Sequence, residues 1–352
     1  MSAKIDISPT LSKRFATMSF VCAIFIVALH SISADRAGTI VRCVHEFFSG
    51  GIYLTAIPWF FFAAGFFLAG HIGESRWWSR EVLKRVKTLL VPFWFWSAVI
   101  FAANVAFAAL IHLYGYRYGG EDALSWLSIN GLLRVIGLDF LETMPTMWFL
   151  RTLFVFVVIS PLLVRFSRLG LCALFVVTCC FGLIPGKGDV ITKLGYNLFS
   201  TRGLFYFTLG LYMRRNGVPF VSSLRISWCI AILGVILCVA RVGFVELGFS
   251  KIAVFLDSFQ LPALTYAVYR ISATFDIPKK WTSLSFPVYV THIVVILCIS
   301  AVYGVLGIGG VGNITLAKGL LRFGLGLCIS MSLCLFLRKK FLAMSSIVFG
   351  GR

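Results

Sequence analysis

Ten stretches of this chain are almost entirely apolar and close to the length needed to cross a lipid bilayer. A bilayer core about 30 Å thick requires roughly 20 apolar residues in a helix that rises 1.5 Å per residue. The stretches are 15–34, 52–70, 89–113, 146–164, 169–186, 198–213, 226–245, 252–270, 283–303 and 319–337. They are apolar on every face, which favours helices over the alternating strands of a membrane barrel. The sequence therefore predicts an all-α, polytopic transmembrane helix bundle of about ten spans.

The count of ten leaves one alternative open. The fifth and sixth stretches, 169–186 and 198–213, are short, so eight or nine full spans with a re-entrant piece also fit the pattern. Hydrophobic residues make up 59% of the chain and charged residues only 13%, which leaves little material for a soluble domain. With no internal repeat visible, residues 1–352 are expected to form a single transmembrane domain.

The positions of the cations predict the orientation of the chain. Basic loops are retained on the cytoplasmic side of a membrane. In the ten-span arrangement 20 of the 32 Lys and Arg residues fall on the side that holds both ends, so the N-terminus and the C-terminus are expected to be cytoplasmic. The net charge of +19 could also indicate a nucleic-acid binder, but the cations are scattered at helix ends instead of forming one stripe. Nucleic acid is therefore excluded as a partner, and some cations are expected to meet anionic membrane lipids.

His30 ends the first apolar stretch, in the predicted outer third of the bilayer. An ionisable side chain inside a membrane is costly and is a candidate functional residue by default. A neutral imidazole can remove a proton from a hydroxyl and return it to a leaving group, as acyl transfer to a sugar requires. The alternative is a histidine that only marks the end of a helix at the headgroup level.

His292 and Arg151 are further ionisable residues in predicted spans. His292 lies in the ninth stretch one turn after Tyr289, where a structural hydrogen bond and a role in a site are both compatible with the sequence. Arg151 either extends to the membrane interface or binds an anionic or carbonyl group of a substrate. It follows the longest predicted outer loop, 114–145, and a loop of that size often covers a site.

Aromatic and basic side chains alternate between Trp77 and Pro92. The cations Lys84, Arg85 and Lys87 lie in this segment. An acyl-CoA donor carries several phosphates and an aromatic base, and such a segment offers charge and stacking to both. A plain basic anchor on the cytoplasmic side is the competing interpretation. The ten cysteines show no zinc-ligand spacing, so no metal is expected.

Taken in order, several segments of the chain resemble the acyltransferase-3 family of multi-pass membrane acyltransferases, which includes bacterial O-acetyltransferases of surface polysaccharides. The resemblance rests on residues 26–31 (IVALHS), 58–68 (PWFFFAAGFFL), 84–93 (KRVKTLLVPF), 148–151 (WFLR), 159–163 (ISPLL), 207–210 (FTLG) and 285–292 (SFPVYVTH). The ordered set covers nearly the whole chain.

The resemblance implies transfer of an acyl group, most simply acetyl, from cytosolic acyl-CoA to a hydroxyl of a cell-envelope or exported glycan, free or lipid-linked. It implies a location in the cytoplasmic membrane of a bacterium. His30 matches the family's proposed catalytic histidine. Lys84, Arg85 and Lys87 would receive the donor's phosphates, and the substrate-binding set would be completed by Arg151 and His292.

The sequence departs from the family's pattern at three places. Ser19 stands eleven positions before His30, where family members commonly have a basic residue. Thr88 stands where a second arginine often follows Arg85, and Thr146 and Met147 stand where a histidine often precedes the Trp-Phe-Leu stretch.

Two other functions remain open from the sequence. A transporter or flippase of a glycan or lipid intermediate would also use a bundle with few intramembrane charges. A catalytically inactive relative that acts as a structural partner is suggested by Ser19 and Thr88.

Overall fold

The computed structural model describes residues 7–33, 38–114, 128–137, 146–183, 200–219, 223–306 and 316–351. Every regular element in these stretches is helical, which confirms the predicted all-α class. The α-helices are α1 (Pro9–Ser31), α2 (Thr39–Phe47), α3 (Ala56–Leu68), α4 (Trp77–Arg85), α5 (Val91–Tyr114), α6 (Ile129–Ile136), α7 (Trp148–Leu163), α8 (Arg168–Leu183), α9 (Thr201–Arg215), α10 (Leu224–Glu246), α11 (Ser250–Ser272), α12 (Lys279–Thr282), α13 (Ser285–Val305), α14 (Leu316–Lys340) and α15 (Leu342–Val348). The predicted loop 114–145 lies mostly outside the described residues, apart from α6 and its immediate neighbours.

Seven helical stretches among the described residues are long and apolar enough to cross a membrane. They are Pro9–Ser31, Thr39–His71, Trp77–Ala103, Leu224–Glu246, Ser250–Ser272, Ser285–Gly304 and Leu316–Lys340. Helices α7 and α8 are apolar but have only 16 residues each, so either would extend about 24 Å in a straight helix. A helix lies at each of the ten predicted positions. Ten crossings and cytoplasmic ends stay predictions.

Two of the continuous stretches contain a wider helical turn. Residues Phe48–Ile52 continue α2 as a π-helix, and Val86–Leu90 form a second π-helix between α4 and α5. Such widened turns are rare and are frequent at functional sites. The second one carries Lys87 and Thr88, which places part of the predicted donor-binding segment on irregular helix.

Local sequence sets both the start of α10 and the turn between α10 and α11. Ser223 caps α10, since its hydroxyl accepts a hydrogen bond from the Ile226 amide at 3.4 Å. After Glu246 the chain reverses within three residues, and Gly248 adopts a φ of +82° that favours glycine. A connection this short makes α10 and α11 an antiparallel pair.

The chain groups into two compact units. Unit 1 comprises Met1–Ile26, Cys43–Lys84 and Thr152–Ser285, and unit 2 comprises Val27–Arg42, Arg85–Arg151 and Phe286–Arg352. Helix α1 contributes to both units, because the division falls after Ile26. His30 and His292 therefore belong to unit 2.

In unit 1, α3 and α9 cross with their backbones in direct contact. A Cβ at Gly65 would collide with the carbonyl of Phe207, and a Cβ at Gly210 would collide with the carbonyl of Phe62. Small residues at a crossing allow helices in a membrane to approach closely and gain packing energy. The two glycines are therefore required on both sides of the same contact.

An aromatic cluster fills the core of unit 1. The ring of Phe15 lies 4.8 Å from the ring of Trp59 and 5.0 Å from that of Phe66, measured between centroids. The Trp59 indole donates a hydrogen bond to the Ser19 hydroxyl at 3.0 Å. The cluster thus buries large apolar rings while the one indole N–H keeps a partner.

In unit 2, the C-terminal residues pack against α5. Trp96 is buried, its indole donates to the Val348 carbonyl at 3.0 Å, and its ring stacks on Phe349. Gly350, with φ of +63°, lies so close to Thr88 that a Cβ there would come within 2.6 Å of the Thr88 carbonyl oxygen. The end of the described chain is thereby tied to the π-helix that precedes α5.

Candidate active site

The first candidate side chain, His30, lies in the last turn of α1 and is exposed. The last carbonyls of a helix lack hydrogen-bond donors within the helix, and here a buried arginine donates to them. Arg322 of α14 donates to the Ser31 carbonyl from Nε at 2.9 Å and from Nη2 at 2.6 Å, and to the His30 carbonyl at 3.5 Å. A cation at the C-terminal end of a helix also interacts favourably with the helix dipole. Arg322 therefore fixes the backbone that carries His30.

A further hydrogen bond and a close approach of two chain segments position Arg322. Its Nη1 donates to the hydroxyl of Ser300 on α13 at 3.3 Å. One turn earlier on α14, Gly319 lies so close to α1 that a Cβ would be 3.1 Å from the Ile32 Cα. The close approach brings the guanidinium within reach of the end of α1, and three helices of unit 2 meet at this arginine.

His292 of α13 is completely buried and lies against His30. The two ring centroids are 5.4 Å apart, with the planes inclined by 35°. The Nδ1 atom of His292 is 2.6 Å from the Tyr289 carbonyl oxygen. A carbonyl only accepts hydrogen bonds, so we assign the proton to Nδ1, which leaves a lone pair on Nε2. Within the described part of the chain Nε2 is buried and has no hydrogen-bond partner.

Tyr289 links this pair to the segment that begins at Thr146. Its hydroxyl donates to the Thr146 carbonyl, and its ring meets the edge of Phe149 at 5.7 Å. Thr146 itself has a φ of +65°, an unfavourable backbone conformation for a β-branched residue. The strained turn is held by the hydrogen bond from Tyr289, which in turn presents its carbonyl to His292.

Arg151 lies at the far end of the same segment. It is buried, and its Nη1 donates to the Gly137 carbonyl at 3.3 Å. The structure therefore places Arg151 in the Thr146–Arg151 segment beside Tyr289, with one guanidinium hydrogen bond directed to the residue after α6. His30 and His292 are brought together, and the segment that carries Arg151 contacts Tyr289 through Thr146 and Phe149.

The predicted donor-binding cations lie at the junction of α4 and the second π-helix. Lys84 is exposed and forms an ion pair with Glu81 at 3.5 Å, Arg85 is half-buried, and Lys87 is exposed. Lys84 is the last residue of its stretch of unit 1, whereas Arg85 and Lys87 belong to unit 2. These cations therefore share a segment of chain, and only two of them share a unit.

A second set of buried ionisable groups lies in unit 1. The Asp257 carboxylate accepts hydrogen bonds from Arg241 at 2.6 Å, from Gln260 at 2.8 Å and from Arg202 at 3.1 Å. Arg241 also pairs with Glu46 at 2.5 Å. Each of the four charges thus has an opposite charge within reach, as buried ions require. We call this set the ionic network.

A family model described as an acyltransferase domain, acyltransferase-3, matches residues 18–339. The chain belongs to the acyltransferase-3 family. Together with the apolar helices, this membership makes it an integral membrane protein of an acyltransferase family. No curated protein and no solved structure matches the chain.

Three residues mark the places where the sequence departs from the family pattern. Ser19 accepts the indole hydrogen bond of Trp59, the Thr88 carbonyl packs against Gly350, and the Thr146 carbonyl accepts from Tyr289. Only the Ser19 contact uses a side chain. Any residue presents a backbone carbonyl, so the residue types at Thr88 and Thr146 have no structural explanation.

Sequence reasoning did not assign a role to Arg322, Arg241, Arg202 or Glu46. The available signal was charge within a predicted span, which applied to Arg322, Arg241 and Arg202 but did not reveal their partners. Among the described residues, no group of three or more His, Cys, Asp or Glu side chains is placed to hold a metal.

Proposed function

We propose that this protein transfers an acyl group, acetyl in the simplest case, from cytosolic acyl-CoA to a hydroxyl of a cell-envelope or exported glycan, with His30 as general base. The observation that carries the proposal is an exposed histidine beside a buried one whose Nε2 lone pair has no partner in the described chain. A buried basic nitrogen without a hydrogen bond is costly to keep, and orienting His30 for proton transfer would give Nε2 of His292 a use.

In the proposed reaction the acceptor hydroxyl attacks the thioester carbonyl of acyl-CoA. His30 takes the hydroxyl proton as the new C–O bond forms, and the C–S bond breaks when the tetrahedral intermediate collapses. His30 then returns the proton to the departing thiolate, so that the ester and free CoA leave with all protons accounted for.

His292 is proposed to orient His30. It is completely buried and cannot reach an acceptor in solvent, whereas the His30 ring is exposed. Its Nε2 is available to accept a hydrogen bond from one ring nitrogen of His30, which would leave the other nitrogen as the base. A third group that orients the base is the usual arrangement in nucleophilic catalysis, and such bonds often tighten only when substrate is bound.

The remaining proposed roles concern binding. Lys84, Arg85 and Lys87 are proposed to receive the donor's phosphates, because charge-assisted hydrogen bonds to phosphate are strong. Arg151 is proposed to hold the acceptor or the charge that develops on the carbonyl oxygen. With cytoplasmic ends, the donor segment would face the compartment that contains acyl-CoA. We place the protein in the cytoplasmic membrane of a bacterium.

The test is transfer of label from radiolabelled acetyl-CoA to surface glycans by membranes that contain the protein. Label in the isolated glycan, lost in His30→Ala and kept in His45→Gln, supports the proposal. His45 lies in α2 of unit 1, outside the proposed machinery. Undiminished transfer by purified His30→Ala overturns the role of His30.

The same assay separates the other functions. Movement of a glycan or lipid intermediate across the membrane without acyl-CoA would replace the proposal with a transporter or flippase. Unlabelled glycan from intact protein with every acyl-CoA supplied would instead support an inactive relative that acts as a structural partner.

A further inference from the structure

Unit 1 contains a cavity that the proposed acyl transfer does not use. Its volume is about 300 Å³, and it lies between α3, α9, α10 and α11. Each of these helices contributes to the cavity wall, for example with Trp59, Tyr206, Ile230 and Thr265 in the same order. A space of this size is at the lower end of the range for small-molecule sites, about 300 to 1,000 Å³.

Three polar groups on the cavity wall are already bonded to the protein. The Trp59 indole donates to Ser19, and the Tyr266 hydroxyl is 3.0 Å from the Ser227 hydroxyl. The Tyr269 hydroxyl is hydrogen-bonded to Arg14. What these side chains present to the cavity is therefore ring surface, which favours a hydrocarbon occupant over a polar one.

One polar atom of the wall is different. The Thr265 hydroxyl is buried and has no partner within the described residues. The oxygen has almost no accessible surface, so it offers no hydrogen bond to an occupant of the cavity.

Cations mark one end of the cavity wall. Tyr269 lies in the last turn of α11, its hydroxyl is hydrogen-bonded to Arg14, and Arg270 is the next residue of the helix. Arg14 is exposed, so its charge is accessible to a headgroup. Three of the lining helices belong to stretches long and apolar enough to cross a membrane, so the surrounding medium contains the proposed occupant. Apolar walls and terminal cations together match a lipid with an anionic headgroup.

We propose that this cavity binds one acyl chain of an anionic phospholipid, with Arg14 and Arg270 at the headgroup phosphate. The site lies in unit 1 and does not depend on the histidine pair of unit 2. It is also independent of the proposed acyl transfer, since the lipid is bound and not consumed.

The test is native mass spectrometry of the purified full-length protein, supplied in turn with phosphatidylglycerol, phosphatidylcholine and palmitoyl-CoA. Ile230→Trp fills the cavity from α10, and Ile232→Trp adds the same ring at an exposed position of that helix. We expect Ile230→Trp to lower phosphatidylglycerol binding by about tenfold and Ile232→Trp to leave it unchanged. Arg14→Gln should remove the preference for phosphatidylglycerol over phosphatidylcholine.

Equal phosphatidylglycerol binding by the two tryptophan variants would overturn the site, and tighter binding of palmitoyl-CoA would overturn the identity of the occupant. A second measurement covers the case in which Ile230→Trp fails to fold. Phosphatidylglycerol with brominated acyl chains should quench the fluorescence contribution of Trp59, taken as the difference between the unaltered protein and Trp59→Phe. An unquenched Trp59 contribution would also overturn the site.

Discussion

The ionic network of unit 1 and the histidine pair of unit 2 differ in how completely their titratable groups are hydrogen-bonded. Both place titratable groups among apolar helices, where unpaired polar atoms are expensive. In the network, Asp257 accepts three hydrogen bonds and each arginine has an acidic partner. In the pair, His292 keeps a lone pair with no partner among the described residues, beside an exposed His30. Groups whose hydrogen bonds are all made stabilise a fold, whereas a group with an unused hydrogen-bonding position is available for a reaction.

The largest effect is expected from breaking the network. Asp257→Ala removes the carboxylate that pairs with Arg241, which is buried, and with Arg202, which is half-buried. Breaking a buried pair costs about 3 kcal/mol or more. Unfolding of the purified protein in detergent should show this loss, while acyl transfer per folded molecule is retained. Asp276→Ala is the control, because its pair with Lys13 is exposed and should contribute less than about 1 kcal/mol. Equal losses in the two variants would contradict the comparison.

Removal of the lone pair at His292 should act on the reaction. We expect His292→Gln to lower the rate of label transfer by roughly a hundredfold, since general-base catalysis contributes about 10² to 10⁴ and depends on orientation. The pH dependence of the rate should change as well, which a purely structural residue would not cause. His45→Gln serves as the matched control. An unchanged rate and pH profile in His292→Gln, with His30→Ala inactive, would remove the orienting role and leave the proposed function standing.

The Arg322→Gln variant tests whether acyl transfer requires Arg322 to fix the end of α1. Arg322→Gln leaves the carbonyls of His30 and Ser31 without their guanidinium donor, at a cost of about 1 to 3 kcal/mol for unsatisfied buried groups. Transfer should fall by about tenfold as His30 loses its fixed backbone. Lys340→Gln, at the exposed end of the same helix, should change neither quantity. Full activity in Arg322→Gln would show that the position of His30 does not depend on this contact.

The smallest effect is expected at Ser19. Ser19→Ala removes the acceptor of the Trp59 indole and should lower the free energy of unfolding by about 1 kcal/mol. Ser12→Ala, at an exposed position of the same helix, should have little effect. A transfer rate that falls with Ser19→Ala while stability is unchanged would instead show that Ser19 takes part in the reaction.

The apolar runs alone predicted the helices, because a chain surrounded by lipid must satisfy its backbone groups within each segment. Each predicted span corresponds to a helix, from α1 to α14, and the ordered segments around His30 and Trp148 led to the correct family. Periodicity could not reveal the π-helices or the strained turn at Thr146, since these depend on contacts with residues far away in the chain.

The amino-acid sequence was enough to predict a lipid environment, helices and rare charges inside apolar runs. It singled out His30 and His292 as separate residues, 262 positions apart. The packing of the helices was needed to show that their rings are neighbours, that Arg322 caps α1 and that Asp257 is fully paired. The physical reason is that hydrophobicity acts on each segment locally, whereas hydrogen bonds between helices depend on how those helices pack.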